Sequence, residues 1–380
     1  MATPTFSVCR FFLPLRDPRR HHRRKHLLID IVVIALCAVI SGANDWQQVV
    51  AFGRGRRDWL KTFLRLPHGI PSHDTFERVF DRLDPAAFQA CFQRWIEALA
   101  HQLQLRHIAI DGKTLRGSGN GPKGWKALHL VSAWATDCQL SLGQVAVDAK
   151  SNEITAIPQL LQLLDLHGAL VTIDAMGCQT EIARTVIDGG GDYVFTVKDN
   201  QPHLLEDISA CVSRMLEADG KGVGYEIWET EERGHGRHES RLYLIITDPE
   251  GIRNKEAWAN LSVIGMCVCE RGVQGDYSEE THYFMGSRRM SAQEYGQALR
   301  GHWGIENNLH WQLDVTFAED GNRVQRRHGA QNLALLRRLA LTLLKRHGGK
   351  ESMACKRYMA ALNSAFLEEI LVAGCNSGKV

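Results

Sequence analysis

Two short apolar stretches, HIAID at residues 107–111 and LVTID at residues 170–174, decide the fold of this chain. Each is typical of a strand buried on both faces, and each ends in an aspartate. Three further strands and two helices are predicted around them: LHLVSAWAT from residue 128, LGQVAVDAK from 142 and DYVFTVK from 192, with helices NEITAIPQLLQLLDL from 152 and TEIARTVIDGG from 180. Alternating strands and helices predict an α/β sheet that is covered on both faces.

The 380 residues are enough for two or three domains, and the patterns change along the chain. Residues 1–103 have the helical spacing of an all-α N-terminal module, in which Asn44 is a candidate helix N-cap. Residues 104–200 hold the strands just described, and residues 201–290 form a β-rich block with one helix, one hairpin and two further strands. Residues 291–350 are predicted to complete the α/β domain, followed by a helical tail at 351–380.

Charge is nearly balanced over the whole chain, with 45 basic and 43 acidic side chains, but it is unevenly distributed. The segment from Arg10 to His26 is strongly basic, and no acidic residue occurs between Asp320 and Glu351. Such tracts indicate contact with a polyanion, or else ordinary solvated helix faces.

One apolar run, LLIDIVVIALCAVI at residues 27–40, is the candidate for a membrane segment. It is shorter than the roughly 20 residues that a span needs and it contains Asp30, which favours a buried core helix. The ten cysteines show no CxxC spacing, which is typical of reduced thiols in a cytoplasmic protein.

A third acidic residue, Glu306, lies in GHWGIENNLHW at residues 301–311 with no lysine or arginine inside that stretch. The preceding SAQE, with Ser291 and Glu294, has capping-box spacing and predicts the start of a helix. If this helix continues, His302, Glu306 and His310 lie on one face of it.

Three carboxylates on separate rigid elements are what a divalent magnesium site needs. Magnesium prefers oxygen ligands, and a pair of such ions holds both the attacking and the leaving oxygen of a phosphodiester. Asp111, Asp174 and Glu306 have suitable contexts. The alternative for each aspartate is a turn former, and Asp111-Gly112 is a turn dipeptide in its own right.

These residues carry a family resemblance. AIDGKTLRGS, TIDAMGCQ and HWGIENNLHWQLDVTFAED, with the upstream PSHDTFERVF, resemble the H-repeat-associated branch of bacterial insertion-sequence transposases. Those are DDE transposases with an RNase H-like catalytic core. The resemblance implies an RNase H-like α/β core with a β-rich insertion, preceded by an all-α N-terminal domain.

The resemblance also implies a function. Asp111, Asp174 and Glu306 would be the catalytic and metal-binding triad, with Mg²⁺ as the cofactor and Mn²⁺ as a substitute. The partners would be double-stranded DNA, at the element's terminal repeats and at the target, and a second copy of the chain on paired ends. No membrane partner is expected. Related transposases often carry a Tyr, Arg, Glu, Lys signature on the glutamate helix; here His302 and Leu313 stand where the arginine and lysine would fall.

Several side chains are candidates for DNA contact because they lie near the proposed carboxylates or in the predicted hairpin loop ERGHGRHESR. They are Lys113, Lys198, Arg233, His235, Arg237, Arg300, His302, Trp303 and Arg323. Arg300 could take over part of the missing arginine's phosphate binding, and Trp303 could stack on an unpaired base or be a core residue. The alternative to DNA contact for the hairpin loop is an ordinary charged turn. Asp314, Glu319 and Asp320 are candidates to support the metal site from nearby. The alternative is that they form an ordinary polar loop.

The sequence thus predicts a DNA transposase that hydrolyses a phosphodiester and then transfers the freed 3′-OH to target DNA. Two alternatives stay open: a metal-dependent nuclease of the same fold without strand transfer, and a non-catalytic DNA-binding remnant of such an element. The presence of all three acidic residues argues against the remnant.

Overall fold

The computed structural model describes residues 7–100, 106–148, 151–234, 237–273 and 276–373. Its α-helices are α1 (Ser7–Arg10), α2 (Leu28–Ile40), α3 (Trp46–Gly55), α4 (Arg57–Leu60), α5 (His73–Phe80), α6 (Pro85–Ala100), α7 (Glu153–Leu161), α8 (Thr180–Asp188), α9 (Pro202–Glu217), α10 (Ala292–Ile305), α11 (Arg327–Arg346), α12 (Met353–Leu362) and α13 (Ser364–Ala373). Its strands are β1 (His107–Leu115), β2 (Leu128–Ala135), β3 (Leu140–Ala146), β4 (Leu170–Ile173), β5 (Asp192–Val197), β6 (Tyr225–Gly234), β7 (Arg237–Thr247), β8 (Val263–Val273) and β9 (Asp276–Gly286).

The strands form one sheet in the order β3-β2-β1-β4-β5-β9-β8-β7-β6. Strands β1, β4 and β5 are parallel to one another, whereas β2 and β3 form an antiparallel pair. All four residues of β4 are buried, as its apolar sequence predicts. The α/β class is therefore confirmed, with an RNase H-like core, a strand-rich segment and a preceding helical region.

The β-rich block is confirmed as one helix, α9, followed by four antiparallel strands. Strand β9 pairs with β5 in antiparallel fashion, with Phe195 opposite Met285, so these strands extend the central sheet. The sequence did not indicate this pairing, because strand partners so far apart in the chain leave no local pattern.

The described residues fall into two compact units, one drawn from 1–105, 112–150 and 306–380 and the other from 106–111 and 151–305. In the first unit α11 packs on α2, α5, α6 and β3. Helix α2 is buried from Asp30 to Ile40, which confirms the core-helix interpretation. Among the described residues no helix is long and apolar enough to cross a membrane.

In the second unit α10 packs on β4, β5, β6 and β7, where its residues Tyr295 and Ala298 share a core with Val194 and Phe284. Ser291 and Glu294 form the predicted capping box: the backbone N–H of Ser291 donates to Glu294 Oε2 at 2.9 Å, and the N–H of Glu294 donates to Ser291 Oγ at 3.2 Å. The capping-box prediction is confirmed.

Two local predictions were wrong by small amounts. The N-cap of α3 is Asp45, not Asn44, since its carboxylate accepts from the N–H of Gln48 at 2.8 Å. Strand β1 does not end at Asp111 but continues to Leu115. Turn dipeptides such as Asp-Gly are a local preference, and sheet pairing overrides it here.

Candidate active site

Asp111 and Asp174 are brought side by side by the register of two parallel strands. Ile110 of β1 is the partner of Ile173 of β4, and each aspartate is the next residue. Adjacent strands lie about 4.8 Å apart, and successive side chains alternate between faces. The two carboxylates therefore emerge at the same level and on the same face of the sheet.

The electrostatics of this pair favour a bound cation. The pKa of Asp174 is raised, first by burial and then by the negative charges of Asp111 and Glu153, while His302 opposes the shift. Glu153 begins α7 and was not a candidate in the sequence. Crowded carboxylates of this kind are stabilised in the charged form by a positive ion, which is a fit for the oxygen-preferring Mg²⁺.

His302 is buried, with 9% of its surface exposed, so this structure does not present its ring to DNA. Its Nδ1 lies 3.1 Å from the hydroxyl oxygen of Thr172, and Nε2 of His107 lies 2.8 Å from the same oxygen. At Gly301 a Cβ would lie 2.7 Å from the His107 ring, so only glycine allows this close approach of α10.

Thr172 and His107 were missed by sequence reasoning, although a signal was present. Side chains alternate along a strand, so Thr172 shares a face with Asp174, two residues later. His107 and Asp111, four residues apart on β1, also share a face. A polar residue on the same face as a candidate catalytic aspartate is therefore a candidate to position it.

Glu306 follows the last residue of α10 and begins a π-helical segment, Glu306–His310, with a second at Gln312–Thr316. The helix thus runs on past Glu306, as predicted, but with π geometry, which is frequent at functional sites. Its side chain is exposed. Asp111 and Asp174 belong to one compact unit and Glu306 to the other. Within the described ranges no group of three or more His, Cys, Asp or Glu side chains has metal-binding geometry.

Lys113 does not present its ammonium group to solvent, contrary to its predicted role as a phosphate contact. It is 8% exposed, donates to Asp314 and lies 3.4 Å from Asp320. Asp320 also lies 3.6 Å from Arg116. Two carboxylates so close to one partly buried ammonium satisfy it within the chain. Asp314 and Asp320 are therefore ion-pair partners in this structure.

Arg300 and Trp303 lie on α10 beside the strand-rich segment. Both guanidinium nitrogens Nη1 and Nη2 of Arg300 donate to Glu232 of β6, the second at 2.9 Å. Trp303 is 41% exposed, and the guanidinium carbon of Arg241 lies 5.6 Å from its ring centre. Trp303 is therefore not a core residue and keeps a free surface for stacking, whereas Arg300 is engaged.

The β6–β7 hairpin has the features of a charged turn. Arg233 donates to Glu231 at 2.7 Å, and Nε2 of His238 lies 2.6 Å from the same carboxylate. His235 lies outside the described residues. The backbone of Arg237 pairs with Gly234 and Val273.

Lys198 and Arg323, two more of the predicted DNA contacts, are also exposed. Lys198 directly follows β5, which is parallel to β4, so it lies at the same sheet edge as Asp174. Arg323 is exposed in the segment before α11.

The basic tract after Asp320 is only partly a surface feature. Arg337 and Arg338 are buried, and Nη1 of Arg338 lies 3.3 Å from Oε1 of Glu319, which is itself buried. The polyanion interpretation of these two arginines is wrong, because they lie beside the buried carboxylate of Glu319, which precedes α11. Glu319, for the same reason, is a core residue and not part of a polar loop.

Two family models cover the chain: DDE_Tnp_1-associated matches residues 9–96, and Transposase DDE domain matches residues 102–343. The chain is 38% identical over 375 residues to "Putative transposase YncI" of Escherichia coli O157:H7, covering 97% of this chain and 95% of that protein. It is 35% identical over 361 residues to "H repeat-associated putative transposase YhhI" of Escherichia coli strain K12, covering 93% and 95%.

Among solved structures, a cryo-EM structure of a piggyBac transposase synaptic complex with hairpin DNA aligns with a TM-score of 0.41 at 12% identity, over 98% of this chain and 79% of that one. The second family model spans most of the chain, and both bacterial relatives match almost end to end. This chain therefore belongs to the H-repeat-associated branch of the DDE transposases.

Proposed function

We propose that this protein is an insertion-sequence transposase that binds the ends of its own element, hydrolyses a phosphodiester at the element's edge and joins the freed 3′-OH to target DNA. The observation that carries the proposal is the pair Asp111 and Asp174, level on two parallel strands in a chain of the DDE family. One active site would perform both steps, since water and the 3′-OH are the successive nucleophiles.

We assign the catalytic and metal-binding roles to Asp111, Asp174 and Glu306. The donor set is all oxygen, and the pKa of Asp174 is raised by burial and by the charge of Asp111, so the pair suits a hard divalent cation. DDE transposases use a divalent metal; we propose Mg²⁺, with Mn²⁺ as a substitute. When bound, the metal would neutralise charge that develops on the scissile phosphate and on the leaving oxygen.

The chain's own groups orient the reactants. The strand register fixes the backbone of both aspartates, and the hydroxyl of Thr172, between His107 and His302, holds α10 against the strands that carry them. Lys198, exposed at the same edge, would bind a DNA phosphate, and Arg323 a second one. Trp303 would stack on a base unpaired at the cut end.

We further propose that the helical domain at residues 1–103 contributes to end binding, that two copies assemble on paired ends, and that the reaction takes place in the bacterial cytoplasm. The core would comprise residues 104–200 and 291–350, the β-rich insertion 201–290, and the helical tail 351–380. Arg300 would bind phosphate only by leaving Glu232, which is half exposed in the ion pair.

The test is cleavage of a labelled duplex that carries the element's terminal repeat, in Mg²⁺ or in EDTA. The wild type should nick the repeat's edge only with metal. Glu306→Gln and Asp174→Asn should abolish nicking and leave DNA binding intact. Glu351→Gln, an exposed carboxylate outside the site, is the matched control and should cleave normally.

A second assay separates the alternatives. A pre-cut duplex with a free 3′-OH should be joined to a plasmid target. Cleavage without joining would identify a nuclease, and tight end binding without cleavage would identify an inactive remnant. Cleavage that survives Glu306→Gln would remove this residue from the triad.

A further inference from the structure

A strongly basic hollow of about 610 Å³ lies in the N-terminal helical region, away from every residue of the proposed triad in sequence. It is bounded by the segment before α2 and by α5. The lining residues are Arg19, Arg20, His22, Lys25, His26, Thr75, Arg78 and Arg82. None of these described lining residues is acidic, so an anion entering the hollow meets positive charge on both sides.

One wall is a loop that is held in place by a buried ion pair. Asp17 accepts from the backbone N–H of Arg19 at 3.0 Å and from its Nη2 at 2.7 Å, and the same Nη2 donates to the carbonyl of His26 at 2.6 Å. Arg24 Nε donates to the carbonyl of Arg19 at 2.9 Å. Burial by itself would raise the pKa of Asp17, but the hydrogen bonds from Arg19 and the charges of Arg19 and Arg24 together outweigh burial, and the pKa is lowered.

This arrangement uses Arg19 and Arg24 to fix the loop and leaves other side chains of the loop facing outward. Arg20, His22 and Lys25 are exposed. A loop that is ordered before binding loses less conformational entropy when it engages a ligand. The loop is therefore a preformed row of positive charge.

The other wall is one face of α5 and the turn that follows it. Phe76, Val79 and Phe80 are buried on the core side. Thr75, Arg78 and Arg82 follow the spacing i, i+3, i+7, which places them together on another face. Arg78 pairs with Asp74 at 3.4 Å, but both side chains are more than half exposed. An ion pair this exposed contributes little to stability, so a phosphate can displace it.

The basic side chains around the hollow also affect the pKa of His26, which lines it. The pKa of His26 is lowered by burial and by the nearby cationic groups His68, Arg19 and Lys25, against a hydrogen bond with the Gly69 backbone. Nδ1 of His26 is buried and has no hydrogen-bond partner among the residues that the structure describes. The positive charges of Arg19 and Lys25 therefore reach the ring of His26 at the wall of the hollow.

We propose that this hollow, between the Arg20–Lys25 loop and the basic face of α5, binds the phosphate backbone of double-stranded DNA. Two rows of cations, with Arg78 and Arg82 one helical turn apart, match a linear series of phosphates better than a single small anion. The inference rests on the proposed function, because it assumes that DNA is the polyanion this family of proteins meets. Contacts of this kind position the duplex and carry no sequence information.

The test is a salt titration of binding to a fluorescent duplex that carries the terminal repeat and to a random duplex of equal length. The double variant Arg78→Ala/Arg82→Ala should lower affinity for both duplexes by about tenfold or more, and the slope of log K against log salt should fall by about 1.8 for two lost phosphate contacts. Lys25→Ala, on the other wall, should lower the slope by about 0.9.

The matched control is Arg184→Ala/Lys221→Ala, which removes the same charge from two exposed positions on α8 and after α9. If this control loses as much affinity as the α5 variant, or if the α5 variant keeps the wild-type slope, the hollow is not a DNA site. That outcome leaves the proposed function standing, because the wild type still binds and cuts the terminal repeat. A wild type that binds no duplex at all would overturn both.

Discussion

His302 of α10 and Thr172 of β4 are joined by a contact of 3.1 Å between Nδ1 and the threonine hydroxyl, 130 positions apart in the chain. The same hydroxyl lies 2.8 Å from Nε2 of His107 on β1. One buried hydroxyl therefore ties the helix that leads to Glu306 to the two strands that carry Asp111 and Asp174. Thr172 is a positioning residue in this arrangement, since it acts through its neighbours.

Removing this hydroxyl should slow cleavage without weakening DNA binding. Thr172→Val keeps the shape of the side chain but removes the hydroxyl contact from each imidazole. Loss of such a supporting contact typically costs about 10- to 100-fold in activity. Thr172→Ser keeps the hydroxyl and should retain most of the rate. Single-turnover cleavage and duplex affinity, measured side by side, check this; equal rates for the two variants would contradict it.

The ion pair of Lys113 should contribute to stability and not to DNA affinity. A double-mutant cycle with Lys113→Met and Asp314→Asn should give a coupling free energy of about 0.5–3 kcal/mol in chemical unfolding, because the ammonium is 8% exposed and touches the carboxylate. The salt dependence of DNA binding should not change in Lys113→Met. A slope reduced by about 0.9 would instead restore Lys113 as a phosphate contact.

Glu319 should be among the most sensitive positions for folding. It is buried with Arg338 at 3.3 Å and Arg337 at 3.9 Å, and burial lowers the pKa of both arginines although the glutamate opposes this. Glu319→Gln would leave two buried cations without a counter-charge, which should cost about 3–5 kcal/mol. Thermal unfolding should show the loss, and the exposed Glu351→Gln should not. A midpoint within a degree of the wild type would be evidence against this ion cluster.

Stability should depend on pH through Lys345. Burial, and after it the positive charge of Lys356, lowers the pKa of Lys345 from 10.5 to about 8. The folded state therefore favours the neutral amine, and between about pH 8 and 10.5 the unfolded chain binds more protons, so this group's contribution to stability rises with pH across that window and is lost as pH falls through 8.

The matching experiment compares Lys345→Met with the wild type at several pH values. The variant lacks the titrating amine, and it also lacks the 2.9 Å hydrogen bond from that amine to Gln139. The loss of that hydrogen bond adds an offset to the difference in stability between the variant and the wild type. The difference in melting temperature, variant minus wild type, should be largest at pH 7 and shrink toward pH 10. The exposed Lys350→Met should show a flat difference. A flat profile for Lys345→Met would mean that its amine is solvated in the folded protein.

Short-range patterns determined much of this protein. The apolar strand before Asp174, the capping box at Ser291 and Glu294, and the buried helix α2 could each be predicted, because every one depends on neighbours within a few residues. The three acidic candidates and the family resemblance came from the same local stretches. A residue's type and its near neighbours are enough to fix such features.

Only the tertiary structure decided which charged side chains are paired within the chain and how the residues of the candidate site are arranged. Lys113 meets Asp314 across 201 positions, Arg337 and Arg338 turn inward to Glu319, and β9 extends the sheet from β5. The register that sets Asp111 level with Asp174, and the hydroxyl of Thr172 between two histidines, are likewise long-range. An ion pair or a strand pairing depends on which segments meet after folding, and the local sequence around one partner does not identify the other.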